Sequence, residues 1–208
     1  MKPASNFSRR PKKKTSTGKA SGDIRIIGGQ WRGRRLKVFN REGLRPTTDR
    51  VKETLFNWLM TDVRDATVLD CFSGAGSLGF EAASRFASHV TCIEKDKQAA
   101  SQLKQNCEVL KADKQIQVLQ GDFFVKVKAL NTPYNLVFID PPFHKNMVEK
   151  VFEVLIEQNL LAENALIYLE QESNGGFNLA NSEYGQYFEL LKEKSAGQVS
   201  SQLLAWRK

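Results

Sequence analysis

The hydrophobic pattern of the chain changes twice along its length. Residues 1–22 (MKPASNFSRRPKKKTSTGKASG) are polar, rich in Lys, Ser, Pro and Gly, and without apolar period, which predicts a disordered tail. The next segment, IRIIGGQWRGRRLKV (24–38), places β-branched residues on either side of Gly28 and Gly29, with a second turn signal at Gly33. That is the pattern of a β-hairpin. RPTTDRVKETLFNWL (45–59) predicts a helix. Pro46 blocks continuation from upstream, Thr47 or Thr48 can cap, and Asp49 suits the positive end of the dipole. Val51, Leu55, Trp58 and Leu59 then form one apolar stripe.

From residue 66 short apolar runs alternate with helical patterns. The runs are TVLDCF (67–72), HVTCIE (89–94), IQVLQGD (116–122), YNLVFID (134–140) and ALIYLEQ (165–171). Helix-like stretches lie near 77–86, 96–111 and 146–158, the last packing through Val148, Val151, Phe152 and Leu155. Continuous apolar strands joined by helical crossovers predict a parallel sheet covered on both faces, an α/β doubly wound fold. YFELLKEKS and SSQLLAWRK predict a closing antiparallel hairpin over Gly197. The expected division is a tail at 1–22, a hairpin and helix at 23–65, and the sheet domain at 66–208.

Composition narrows the class. With 208 residues, 41% hydrophobic and 26% charged, the chain can pack one domain plus a small appendage. No apolar run approaches the roughly 18 residues that span a bilayer, and no secretory signal is apparent. Cys71, Cys92 and Cys107 are too scattered for a disulfide framework or a metal site, so no metal and a reducing cytoplasm are expected. No surplus apolar stripe demands a second copy, and a monomer is expected. The charge is asymmetric. Residues 1–50 hold 15 Lys and Arg against three acids, whereas the remainder holds 16 against 20. A basic quarter on a slightly acidic body suits a polyanion, with nucleic acid the favoured partner. Trp31, Arg32, Arg34 and Arg35 on the hairpin, with Arg45 and Arg50 flanking the helix start, are the candidate RNA contacts.

In open α/β sheets ligands bind beyond the carboxyl ends of the strands. The first strand there runs into Asp70-Cys-Phe-Ser73-Gly74-Ala-Gly76-Ser-Leu-Gly79. GAGSLG matches the dinucleotide fingerprint, and Glu94, ending the second strand, matches its ribose-binding acid. A nicotinamide or flavin oxidoreductase is therefore one reading. Asp70 weighs against it, because a carboxylate before the glycine turn repels a pyrophosphate but can bind an amine. S-adenosylmethionine offers such an amine and no phosphate. Asp122, after Gly121 at the third strand's end, could accept from an adenine amine. Asp140-Pro141-Pro142-Phe143 ends the fourth strand. Its two prolines fix a rigid extended turn that would hold a carboxylate, carbonyls and an aromatic ring together. Such a turn can orient an exocyclic amino group while Phe143 stacks on the base. His144, His89 and Cys71 read more simply as a solvated, a structural and a core residue.

The order DxFxGxG, Glu94, GD, DPPF resembles class I S-adenosylmethionine-dependent amino-methyltransferases. Together with IIGGQWRGRRL and RPTTDRVKETLFNWL it resembles more narrowly the RsmD family of bacterial 16S rRNA guanine-N2 methyltransferases, from about Ile24 to the C-terminus. The resemblance implies a Rossmann-like, mostly parallel seven-stranded sheet. Asp70, Ser73, Gly74 and Gly76 would surround the methionine part of S-adenosyl-L-methionine, Glu94 its ribose, and Asp122 with Phe123 its adenine. Asp140, Pro141, Pro142 and Phe143 would hold the target guanine, and the partner would be 16S rRNA within the assembling small subunit. Adenine N6 or a protein glutamine are other acceptors for the same cofactor, and a non-catalytic RNA-binding protein is the reading from another class.

Overall fold

A parallel core of five strands, extended by an antiparallel hairpin, makes one seven-stranded sheet in the order Ile116–Gln120, His89–Glu94, Thr67–Asp70, Tyr134–Ile139, Leu161–Glu172, Val199–Trp206, Phe188–Ala196. The structure is a computed structural model describing residues 22–39, 48–143, 147–174 and 176–207. The predicted tail up to residue 21, Arg45, Pro46, Thr47, His144 and Asn146 lie outside the described residues.

A small two-stranded sheet comes first, β1 (Asp23–Arg25) paired antiparallel with β2 (Arg35–Lys37). The hairpin is wider than the paired glycines suggested, because a 3-10 turn at Gly29–Trp31 occupies its loop. Helix α1 (Asp49–Trp58) starts where its capping signals predict, with Thr48 Oγ1 accepting from the Val51 N–H at 3.4 Å. The sheet follows: β3 (Thr67–Asp70), α2 (Ser77–Ser84), β4 (His89–Glu94), α3 (Lys97–Leu110) and β5 (Ile116–Gln120). Then come α4 (Phe123–Lys126), β6 (Tyr134–Ile139), α5 (Val148–Glu157), β7 (Leu161–Glu172), β8 (Phe188–Ala196) and β9 (Val199–Trp206).

The strands are apolar on both sides because both faces are covered. On one face Val68, Val90, Leu136, Phe138 and Tyr168 pack against the hairpin, α1, α2 and α3. On the other Leu69, Val137, Ile139, Ile167 and Leu204 pack against α5. Phe56 of α1 meets Phe138 edge-on at 6.1 Å between centroids, which seats α1 over β6. A buried lysine also fixes α1, since Lys52 Nζ donates to the Arg25 carbonyl and pairs with Asp49 at 3.1 Å. The hairpin in turn runs along α2, where the Ile27 N–H donates to Glu81 Oε2 at 2.8 Å and the Trp31 N–H to Ser84 Oγ at 3.0 Å. Among the described residues no helix is long and apolar enough to cross a membrane, and no cluster of side chains could hold a metal ion.

Candidate active site

The first parallel strand delivers Asp70 into the interior, 3% exposed, with its Oδ2 accepting from the Gly79 N–H at 3.1 Å. The chain then turns through a tight loop closed by Gly76 N–H donating to the Ser73 carbonyl. Gly76 has φ +81, and a Cβ on it would come within 2.5 Å of the Phe80 ring. Only glycine fits there. At Gly79 the constraint is proximity: a Cβ would lie 2.7 Å from Cys92 Sγ and 3.1 Å from Asp70 Oδ2. Burial pushes the Asp70 carboxyl up to about 7 against the bonds it accepts, and the neighbouring Glu94 adds to the rise. A cationic ligand group beside Asp70 would reverse that shift. Ser77, opening α2, carries a buried hydroxyl without a hydrogen-bond partner.

Glu94 ends β4 and braces the same loop. Its Oε2 accepts from the Gly74 N–H and its Oε1 from the Asp96 N–H, both at 2.7 Å. Asp122, after β5, sits nearer the rim. It caps α4 through the Phe124 N–H at 3.0 Å and pairs with Lys95 at 2.9 Å, and that lysine holds its carboxyl below the usual range. Phe123 is buried against Phe72 and Phe124, each 5.2 Å between centroids.

Asp140 follows the last residue of β6, half-buried, with Pro141 buried and Pro142 exposed beside it. Burial pushes its carboxyl well up, with Glu170 first and Asp70 second among the charges that add to the rise. The predicted acids Asp70, Glu94 and Asp140 therefore converge at one end of the sheet. Phe143 stands at the turn, half-buried.

The predicted RNA contacts do not gather there as a group. Arg32, Arg34 and Arg35 are exposed, but the Trp31 turn is fastened to Ser84, the last residue of α2, at the opposite end of that helix from the glycine loop. The Trp31 ring packs on the core and is only partly free. Arg50 is different, because it lies exposed in the first turn of α1. One turn on, Thr54 Oγ1 accepts from Lys194 Nζ at 3.1 Å, which places this part of α1 above β8.

Sequence reasoning did not single out Glu170, Tyr168 or Ser77. Tyr168 Oη donates to Glu170 Oε2 at 2.8 Å, and Glu170 pairs with Ser201 across β7 and β9. The signal was present only as an acid inside the apolar run ALIYLEQ, and nothing local shows that it adjoins Asp140.

A family model described as "Conserved hypothetical protein 95" matches residues 24–205. The chain is 48% identical to ribosomal RNA small subunit methyltransferase D of Haemophilus influenzae over 92% of this chain and 98% of that protein. It is 46% identical to the protein of the same name from Escherichia coli K12, over 88% and 90%. A solved Escherichia coli structure, 45% identical in sequence, covers 89% of this chain and 99% of its own with a TM-score of 0.80.

Proposed function

The chain belongs to the RsmD family of ribosomal RNA small subunit methyltransferases, and we propose that it methylates the exocyclic N2 of a guanine in 16S rRNA. S-adenosylmethionine is the methyl donor, supplying a methyl group on a sulfonium whose departure leaves a neutral thioether. The residues at the sheet's end suit that group. Asp70 is a buried carboxylate whose charge a ligand ammonium would stabilise. The Ser77 hydroxyl is buried and unsatisfied at the same loop, a donor waiting for an acceptor. Ser73, Gly74 and Gly76 would line the methionine part, Glu94 would take ribose hydroxyls, and Asp122 with Phe123 would frame the adenine.

The placement of Asp140 carries the reading. A rigid Pro141-Pro142 turn fixes this carboxylate beside the loop, so that it and the Pro141 carbonyl can accept from an amino group facing the donor. Guanine N2 is conjugated into its ring and weakly nucleophilic. Hydrogen bonds from its two N–H groups to Asp140 and Pro141 localise its lone pair toward the methyl group, and Phe143 stacks on the base plane. The nitrogen's surplus proton passes to the Asp140 carboxylate or to water after the new C–N bond has formed, so Asp140 need not act as a strong base. The base reaches this enclosed turn from a loop or by flipping out of a stack. Arg32, Arg34, Arg35 and Arg50 would hold phosphates outside it.

Small subunits from cells lacking this protein, incubated with methyl-labelled donor and digested to nucleosides, should yield label in N2-methylguanosine. Label in N6-methyladenosine or in protein would overturn the choice of acceptor.

A further inference from the structure

A base held only by its edge can still swing about the hydrogen bonds that hold it, so methyl transfer also needs the acceptor's backbone fixed. We propose that Lys194 of β8, tethered to Thr54 of α1 and flanked by Arg50, binds the 5′ phosphate of the nucleotide whose amino group lies on Asp140. This rests on the guanine-N2 reading above and adds the anchor point of the acceptor.

The sheet register places the lysine. Ile139 of β6 pairs with Leu169 of β7, Glu170 of β7 with Ser201 of β9, and Ser201 with Lys194 of β8. Asp140, next after Ile139, therefore heads a row that crosses four strands and ends on Lys194. The row lies two residues beyond Phe138, Tyr168, Leu203 and Lys192, hence on the face that α1 covers. Three strand spacings separate its ends, about 14 Å. Less the reach of a lysine stem, that is the span from the amino edge of a purine to the phosphate of the same nucleotide.

Helix α1 aims the ammonium. Phe56 meets Phe138 in the lower row, whereas Thr54 Oγ1 accepts from Lys194 Nζ at 3.1 Å in the row of Asp140. Going back along α1 therefore leads toward the carboxyl ends of the strands. Arg50 lies exposed one turn further in that direction, about 5.4 Å along the helix. The Thr54 hydroxyl spends its own proton on the Arg50 carbonyl at 3.1 Å, so its oxygen can only accept from the lysine. An ammonium has three donors, and Thr54 takes one from this exposed side chain. The acids around it are placed elsewhere. Glu193 lies on the other face of β8 and accepts from Gln202 Nε2 at 2.8 Å, Glu189 binds Arg207, and Asp49 pairs with Lys52. Glu170, the acid inside the row, stands one strand from Asp140 and two from Lys194. An edge-strand lysine also deters pairing with another chain, but Lys192 serves that purpose equally, which makes it the control.

The test uses small subunits assembled on 16S RNA with an ordinary phosphate or a neutral methylphosphonate on the 5′ side of the methylated guanosine. Lys194→Gln should lower kcat/KM on the ordinary RNA about tenfold and flatten its log–log dependence on salt by about one unit, as for one lost phosphate contact. Lys194→Arg should keep the slope, and Lys192→Gln, one row lower, should leave both quantities within about twofold of wild type. The methylphosphonate should cost the wild-type chain about tenfold and Lys194→Gln nothing further, because both changes remove the same contact. Binding of S-adenosylhomocysteine, measured by calorimetry, should stay within about twofold and certifies the fold. Additive losses, an equal effect of Lys192→Gln, or no loss at Lys194 overturn the phosphate contact while leaving the acceptor assignment standing. Absence of N2-methylguanosine from the wild-type reaction on ordinary RNA overturns both.

Discussion

Asp70 is buried, and burial pushes its carboxyl group up to about 7 against the hydrogen bonds it accepts. An aspartate in an unfolded chain titrates near pH 3.9, so the native chain holds an extra proton between about pH 4 and 7. The stability that this proton represents is complete below that range and is lost as pH rises through 7. A bound ammonium needs the charged form, which gives the opposite trend for the cofactor. S-adenosylhomocysteine should bind about tenfold more tightly at pH 8 than at pH 6, the ratio expected for a group titrating near 7. Calorimetry at the two values measures it. Asp70→Asn should bind more weakly and lose the dependence, whereas a wild-type affinity flat with pH would contradict the assignment of Asp70 to the amine.

Among the elements, α1 shows what a sequence conceals. Its start was legible from Thr48 and Asp49, since capping is local chemistry, and the stripe of Val51, Leu55, Trp58 and Leu59 located its inner side. Phe56 and Lys52 nevertheless are as deeply buried as Leu55, at 1% exposure. A lysine reads as a surface residue until the hairpin supplies a carbonyl for its ammonium. Lys52→Ala removes a buried stem and strands the Arg25 carbonyl, and should cost about 2–4 kcal/mol in urea unfolding. Lys52→Met, which restores the apolar stem, should recover part of the loss. A change under about 0.5 kcal/mol for Lys52→Ala would mean that the lysine is solvated.

The same division between local and non-local information holds across the sheet. Strand positions followed from apolar runs and crossover rhythm, and β4 runs over His89–Glu94 as expected. β7 is longer than its apolar core, reaching from Leu161 to Glu172, because its start pairs with β6 at Tyr134 and its polar end pairs with β9 through Glu172. The short α4 went unread because Asp122 serves both as strand-end acid and as its cap. Asp70, Glu94 and Asp140 could be picked out by their places at strand ends. Glu170 could not, since its significance lies in standing beside Asp140 on the next strand, thirty residues away in the chain.

At the scale of the whole molecule, charge and chemistry occupy different places. The end of the sheet gathers the carboxylates of Asp70, Glu94 and Asp140, while Arg25, Arg32, Arg34, Arg35 and Lys37 stand exposed on the hairpin. The hairpin's turn lies at the far end of α2 from the glycine loop, so these cations can act on RNA binding without touching the reacting atoms. Replacing Arg32, Arg34 and Arg35 together by Ala should weaken RNA binding and flatten its dependence on salt by about two units of log–log slope, as expected for two or three lost phosphate contacts. Turnover at saturating RNA should be nearly unchanged. An unaltered salt slope, read by filter binding across a potassium chloride series, would remove the hairpin from the RNA interface.

The proposed reaction divides labour at the sheet's end, with the acceptor amine on Asp140 and the methyl donor on the glycine loop. Asp140→Ala tests it most directly when single-turnover methyl transfer and S-adenosylhomocysteine affinity are measured on the same preparation. The expected result is a rate at least about a hundredfold lower with affinity within about twofold of wild type. Equal losses in both quantities, or a rate left intact, would contradict it.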